Sequence, residues 1–189
     1  ADFSQIKDCG KVIYLLGQNV NSYRCPRTGA DFVGLLDKLC ALDGSFVLNF
    51  MSSHPKDFTN ELIDCIARNP KIERNIHLPM QSGSNKILKL MNRKYTVEQY
   101  LEKITNLRET VSDVRITTDI ICGFPGETEA DFDQTVQVVK QVKFNAAFIF
   151  AYSPREGTVA ADMEGQLDDK TKRARATNLL AIQRQLNVK

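Results

Sequence analysis

Short apolar runs alternate with longer amphipathic stretches along the chain. The runs Val12–Leu16, Phe46–Phe50, Ile76–Leu78, Arg115–Ile121 and Ala147–Ala151 read as strands, and their starts lie 34, 30, 39 and 32 residues apart. Between them the apolar period changes to that of a helix. Phe32, Leu35, Leu36, Leu39 and Leu42 follow the i, i+3, i+4, i+7 pattern behind Asp31 as N-cap. Leu62, Ile63 and Ile66 predict a second helix opened by Thr59, and residues 85–91 a third. Val97, Tyr100, Leu101, Ile104, Leu107 and Val111 predict a fourth behind Thr96, and Phe132, Val136 and Val139 a fifth capped by Thr128. A last helix is predicted from about Lys170 to Leu186, and the segment Ala1–Gly10 reads as the end of another, with Phe3 and Ile6 as its apolar positions.

Strand–helix units of this length imply right-handed βαβ crossovers and a parallel sheet. A complete eight-unit barrel takes about 250 residues, whereas 189 residues leave room for five strands. The expected class is α/β, either an open doubly wound sheet or an incomplete TIM-type barrel with its helices outside. The helix at Ala1–Gly10 has no strand ahead of it, and the chain starts without methionine. The expectation is therefore an excised piece, residues 1–189 forming one partial barrel domain without its first strand. An edge left open in this way is an association hazard, so a dimer of the fragment is expected.

Charge and cysteine content narrow the function classes. With 25 basic and 23 acidic residues the net charge is +2, which supports neither a strongly basic nucleic-acid binder nor a membrane-surface protein. No run approaches the roughly 20 apolar residues of a membrane span, and residues 1–5 are not a signal peptide; the expectation is a soluble, cytoplasmic protein. The five cysteines, at 9, 25, 40, 65 and 122, have no zinc, redox or iron–sulfur spacing and are expected to be reduced and non-catalytic. Asp168–Lys189 carries six basic and two acidic residues. That helix either meets RNA phosphates or is a solvated outer face, and no aromatics are interleaved for base stacking.

The chemically informative residues follow the strands. They are Gly17-Gln18-Asn19-Val20-Asn21, Ser52-Ser53-His54-Pro55, Pro79-Met80-Gln81-Ser82-Gly83-Ser84, Cys122-Gly123-Phe124-Pro125-Gly126-Glu127 and Tyr152-Ser153-Pro154-Arg155. In parallel β/α folds the carboxyl ends of the strands share one face, where ligands bind, so these five tips are expected to form one site. Each also has a plainer reading. Gly123 to Glu127 is either a βα turn or a place where Gly123 lets a ligand reach the backbone. Gln81 to Ser84 either caps the next helix or bonds ribose hydroxyls. His54 and His77 lack metal-ligand spacing, and a structural or substrate-positioning role for His54 is favoured over a general base. Asp119 points away from Ile120 and is either a solvated edge charge or, as its apolar neighbours favour, faces the interior, where a carboxylate needs a donor or cation.

In this order, the tips resemble the radical S-adenosylmethionine (SAM) barrel of the methylthiotransferases. Residues 15–23, Leu-Leu-Gly-Gln-Asn-Val-Asn-Ser-Tyr, are most similar to the tRNA branch. The likeness continues through Ser53-His54-Pro55, His77 to Ser84, Leu90 to Thr96, Thr118 to Thr128 and Tyr152 to Arg155, from about Val12 to the end. It implies a six-unit barrel of which the five strands are the second to sixth. It also implies methylthiolation of isopentenyl-adenosine beside the anticodon of tRNA, with SAM and two 4Fe-4S clusters as cofactors and an unspecified sulfur donor. By the same resemblance Gly17, Gln18 and Asn19 face the SAM amino group, and Gln81 and Ser82 its ribose and carboxylate. Ile121, Gly123 and Phe124 pack on the adenine, with Tyr152 close by and Asp119 where the family's strand motif has a glycine. Gly126 stands where that motif has a glutamate, which puts Glu127 in doubt as a contact. Ser53, His54, His77 and Arg155 are substrate-side candidates.

The family's CxxxCxxC cluster loop is nowhere in this sequence, and neither is its second cluster domain or its RNA-binding domain. No catalytic residue or metal ligand is assigned within the chain, which alone is expected to be inactive. Two other readings compete: a methylthiotransferase acting on ribosomal protein, against which Gly17-Gln18-Asn19 counts, and a non-catalytic nucleotide- or RNA-binding βα module.

Overall fold

The computed structural model describes residues 12–51 and 53–187. The predicted helix at residues 1–10, Cys9 and Ser52 lie outside the described residues. Five strands form where the short apolar runs lie: β1 (Val12–Leu15), β2 (Val47–Phe50), β3 (Asn75–His77), β4 (Arg115–Cys122) and β5 (Ala146–Ala151). Among the described residues six α-helices occupy the stretches between and after them: α1 (Phe32–Cys40), α2 (Asn60–Arg68), α3 (Asn85–Leu90), α4 (Val97–Thr110), α5 (Glu129–Val142) and α6 (Asp169–Asn187). The caps are those the sequence offers. Asp31 accepts from the Gly34 amide at 2.9 Å and Thr59 from Leu62 at 3.3 Å. Thr96 and Gln99 bond each other's backbone amides, and Thr128 and Asp131 form the same reciprocal box at the head of α5.

The chain divides into two compact units, one of residues Ala1–Leu78 with Glu102–Arg115, the other of Pro79–Leu101 with Ile116–Lys189. In the first, β1 and β2 pair in parallel, Val12 opposite Val47 and Leu15 opposite Phe50. The segment at Ile72 adds a parallel bridge to Leu48, its flanking bonds being 2.7 and 2.8 Å. Phe32, Leu36, Leu48, Phe50, Leu62, Ile63 and Ile66 are buried there, and the Phe32 ring meets Phe50 edge-on at 5.2 Å.

In the second unit β4 and β5 pair in parallel, Thr117 opposite Ala146 and Cys122 opposite Ala151. Strict alternation along β4 gives its two faces opposite fates. Ile116, Thr118, Ile120 and Cys122 are buried, whereas Thr117, Asp119 and Ile121 are only partly covered. The residues opposite them on β5 include Phe148 and Phe150, each 54% exposed. Val136 and Val139 of α5, Leu179 of α6 and Phe144 are buried in this unit as well. Among the described residues no helix is long and apolar enough to cross a membrane.

Candidate functional site

The half-covered face of β4 and β5 carries the site. Past Leu78 the chain runs beside β4, the Gln81 amide donating to the Asp119 carbonyl (2.8 Å) and the Ile121 amide to the Gln81 carbonyl (2.9 Å). The Met80 amide donates to the Thr118 hydroxyl at 2.8 Å. Gln81 takes φ 69, a left-handed conformation costly for a residue with a Cβ. The strain persists because bonds on both sides fix the backbone. A cavity of about 600 Å³ opens here, within the range of small-molecule sites. Gln81, Asp119, Ile121, Phe150 and Tyr152 line it, with Arg93 and Arg155 as its cations and Ser153, Thr158 and Ala160 from the segment after β5. Two polar atoms around it are buried without a hydrogen-bond partner among the described residues: the Tyr152 hydroxyl and Arg93 Nε. Such atoms are costly unless something completes them.

Behind the cavity the tips serve the scaffold. Ser82 is fully buried, and its hydroxyl lies 3.5 Å from that of Thr135 and accepts from the Ser84 amide. Ser84 donates to Asp131 at 2.7 Å and caps α3. Gly83 is obligatory because a Cβ there would stand 2.5 Å from the Thr135 Cα. Burial pushes the Asp131 carboxyl up, but hydrogen bonds from Lys86, Thr128 and Ser84 outweigh it and hold the group well below the usual carboxylate range.

The turn after β4 is occupied by the protein itself. Gly123 has φ +76, and a Cβ on it would meet Lys172 Cγ at 2.4 Å. Of the two readings of this segment, this geometry goes with the βα turn: the α6 side chain fills the space a Cβ on Gly123 would take. Phe124 is buried and packs edge-on against Tyr152 at 5.1 Å, and neither Phe124 nor Gly123 lines the cavity. Glu127 accepts from the Gly123 amide at 2.8 Å and from Arg175 at 2.7 Å, both bonds buried. Burial raises the Glu127 pKa against the pull of those two donors. Arg175 also reaches Glu129 at 2.9 Å. Lys172 and Arg175 are thus two of the six basic residues of the C-terminal segment, yet both are buried, which removes them from a phosphate-facing surface.

In the first unit the two tips meet each other. Asn19 donates to Asp57 at 2.6 Å, and Asn21 exchanges two bonds with the backbone of His54, at 3.1 and 2.9 Å. His54 Nδ1 accepts from the Lys56 amide at 3.2 Å, capping a 3-10 turn at Pro55–Asp57. Gly17 and Gln18 are exposed, His77 is half-buried, and Ser53 is buried with a hydroxyl that has no partner among the described residues. A smaller cavity of about 290 Å³ lies beside Asn21, Arg24, Lys56 and Asp57. Each unit therefore brings its own tips together.

The sequence reading did not single out Phe150, Arg93, Thr158 or Ala160. Phe150 was within reach, since it stands two residues before Tyr152 on a strand and so on the same face. Arg93 lies inside the family-like stretch Leu90 to Thr96, but no face or spacing there points to a cavity role.

An amphiphilic group such as SAM fits this cavity, which pairs an apolar wall with strained and unpartnered polar groups. A 4Fe-4S cluster does not fit the described residues, among which no group of three or more His, Cys, Asp or Glu side chains can hold a metal. Cys65 and Cys122 are buried, their thiols pushed up to about 12 chiefly by that burial.

The profile of the radical SAM superfamily matches residues 3–139. The chain is 47% identical over 189 residues to tRNA-2-methylthio-N(6)-dimethylallyladenosine synthase of Moorella thermoacetica, covering 99% of this chain and 43% of that protein. It is 50% identical over 184 residues to the enzyme of the same name from Thermoanaerobacter pseudethanolicus, covering 94% and 38%. It thus spans about two fifths of the length of these curated relatives. Among solved structures, coproporphyrinogen III oxidase from Escherichia coli, described as a radical SAM enzyme, superposes with a TM-score of 0.65 at 17% identity, over 82% of this chain and 37% of that one. That likeness is one of fold, and it agrees with the α/β, incomplete-barrel reading of the strand spacing.

Proposed function

The chain belongs to the radical SAM superfamily, and on that premise we propose that the protein containing it methylthiolates N6-dimethylallyladenosine beside the anticodon of tRNA. The relatives that share about half its residues carry that activity in their names. The observation that carries the reading is the cavity at the carboxyl ends of β4 and β5, where Gln81, Asp119, Ile121 and Tyr152 meet. We assign SAM to this cavity. Gln81 and Asp119 supply its polar contacts, Ile121 its apolar wall, and the Tyr152 hydroxyl a donor that is unpartnered within the described residues. When bound and given one electron by a cluster held outside the described residues, SAM would supply a carbon-centred radical; the protein's part is to orient the reactants and exclude water. Ser82 and Phe124 support this wall from behind, and Gly17, Gln18, Asn19, Ser53, His54 and His77 remain candidates on the first unit.

The cluster chemistry belongs to residues outside this sequence, and the chain by itself is proposed to be inactive. The protein is proposed to be soluble and cytoplasmic, acting on the tRNA anticodon stem-loop. The test is expression of the complete reading frame, reconstitution with iron and sulfide, and mass spectrometry of nucleosides from dimethylallyl-modified tRNA. A methylthiolated nucleoside is expected. SAM cleavage without it, or modification of a ribosomal protein instead, refutes the reading.

A further inference from the structure

The proposed function leaves part of the cavity without a use. Phe150 is 54% exposed on β5, an edge strand, where it is aligned with Ile121 on β4. Two residues on, Tyr152 stands on the same face. Ile121 and Tyr152 are shared with the SAM side of the cavity, Phe150 continues their apolar wall, and Arg155 and Arg93 place positive charge at its rim. An apolar wall beside two guanidiniums matches an aromatic base with an apolar substituent, flanked by phosphates.

We infer that Phe150, backed by Ile121, is the seat of the five-carbon dimethylallyl group of the substrate adenosine, and that Arg155 takes an adjacent phosphate. Phe150 is then a specificity-determining residue, by which prenylated adenosine is distinguished from plain adenosine. The inference rests on the proposed function and assigns to one side chain the selectivity that function requires. A branched hydrocarbon covers the exposed ring and loses its own hydration, whereas unmodified adenosine leaves the ring wet. One methylene in an apolar pocket is worth about tenfold to two-hundredfold, so a five-carbon group against a single exposed ring is expected to give at least about tenfold. Arg155 adds affinity that falls with salt and does not depend on the prenyl group.

The test uses the complete protein and two anticodon stem-loop RNAs of one sequence, one carrying N6-dimethylallyladenosine and one plain adenosine. Binding is measured by fluorescence anisotropy, and methylthiolation is measured alongside. Wild type is expected to bind the prenylated RNA at least tenfold more tightly. In Phe150→Ala that preference is expected to collapse towards one, and in Phe150→Leu, which restores an apolar side chain, to return in large part. Arg155→Gln is expected to weaken both RNAs by a similar factor and to lower the salt dependence. A folded Phe150→Ala protein that keeps the wild-type preference, or that loses affinity for both RNAs equally, overturns the inference. Those outcomes leave the proposed function standing as long as wild type methylthiolates the prenylated RNA. Wild type modifying neither RNA overturns the proposed function, and equal wild-type binding of the two RNAs overturns the inference.

Discussion

The buried pair of Arg175 with Glu127 fixes the turn after β4, and Arg175→Met tests how firmly. The Glu127 side chain is 2% exposed and that of Arg175 9%, with 2.7 Å between them. Removing one partner of a buried pair costs about 3–5 kcal/mol, because the other is left charged in a poor solvent. Glu127 keeps its bond from the Gly123 amide, which puts the expected loss near the lower end, about 3 kcal/mol. For a chain of this size that is a fall in Tm of about 6–12 °C. The double variant Glu127→Gln/Arg175→Met removes the stranded charge and keeps the bond to Gly123, so most of the loss is expected to return.

The same variant carries a pH signature. Burial already raises the Glu127 pKa, and Arg175 opposes the rise. Without Arg175 the folded pKa climbs further. The resulting penalty is absent below the unfolded value, about 4.3, and grows as pH rises through the folded value. Denaturant unfolding of wild type and Arg175→Met from pH 4 to 8 is therefore expected to show a gap that closes towards acid. A gap of constant size, a single-variant loss below about 1 kcal/mol, or a double variant no more stable than the single one refutes the buried-charge account.

Three further outcomes are expected. Gly83→Ala sets a Cβ 2.5 Å from the Thr135 Cα, where only backbone stands in the way; a loss of about 2–3 kcal/mol is expected by thermal unfolding, and an unchanged Tm contradicts the packing. Asp131 has a depressed pKa, so its contribution is present above about pH 4 and is lost as pH falls through the folded value; Asp131→Asn is expected to flatten the acid limb of a stability–pH curve. The Cys25 thiol is lowered to about 7, first by its hydrogen bond with the Thr28 side chain and then by backbone amides of Thr28 and Arg27. At pH 7.5 iodoacetamide is expected to modify Cys25 well before buried Cys65 or Cys122, read by peptide mass spectrometry.

The elements were legible because each is specified locally. Asp31, Thr59, Thr96, Ser84 and Thr128 stand next to the helices they open, and the five strands begin within one residue of their apolar runs. The alternation that sends Ile120 inside and Asp119 to the cavity is equally local. What the sequence hid is set by distance along the chain. Arg175 meets Glu127 across 48 residues, and Ser82 meets Thr135 across 53. No spacing rule connects such residues, so Ser82 reads as a ribose contact when its hydroxyl faces α5 instead. Arg93 stands within the family-like stretch Leu90 to Thr96, yet its place beside the cavity is set by contacts far along the chain rather than by local spacing.

In the last helix, where each charge sits matters more than how many there are. As composition, six basic residues after Asp168 describe a surface for phosphate. In the fold, α6 turns two of them inward. Lys172 lays its stem against Gly123 and sets its ammonium 5.9 Å from the centre of the Tyr152 ring, still paired with Asp169 at 2.8 Å. Arg175 ties the end of the turn after β4 to the first residue of α5. An apolar helix face would bury as much surface without the desolvation cost, but it would grip any nearby position of the turn. Charged bonds of fixed geometry select one. The wall that Ile121, Phe150 and Tyr152 present to a ligand therefore depends on a helix that lines none of the cavity, and salt is expected to weaken RNA binding through Arg155 while leaving this buried network intact.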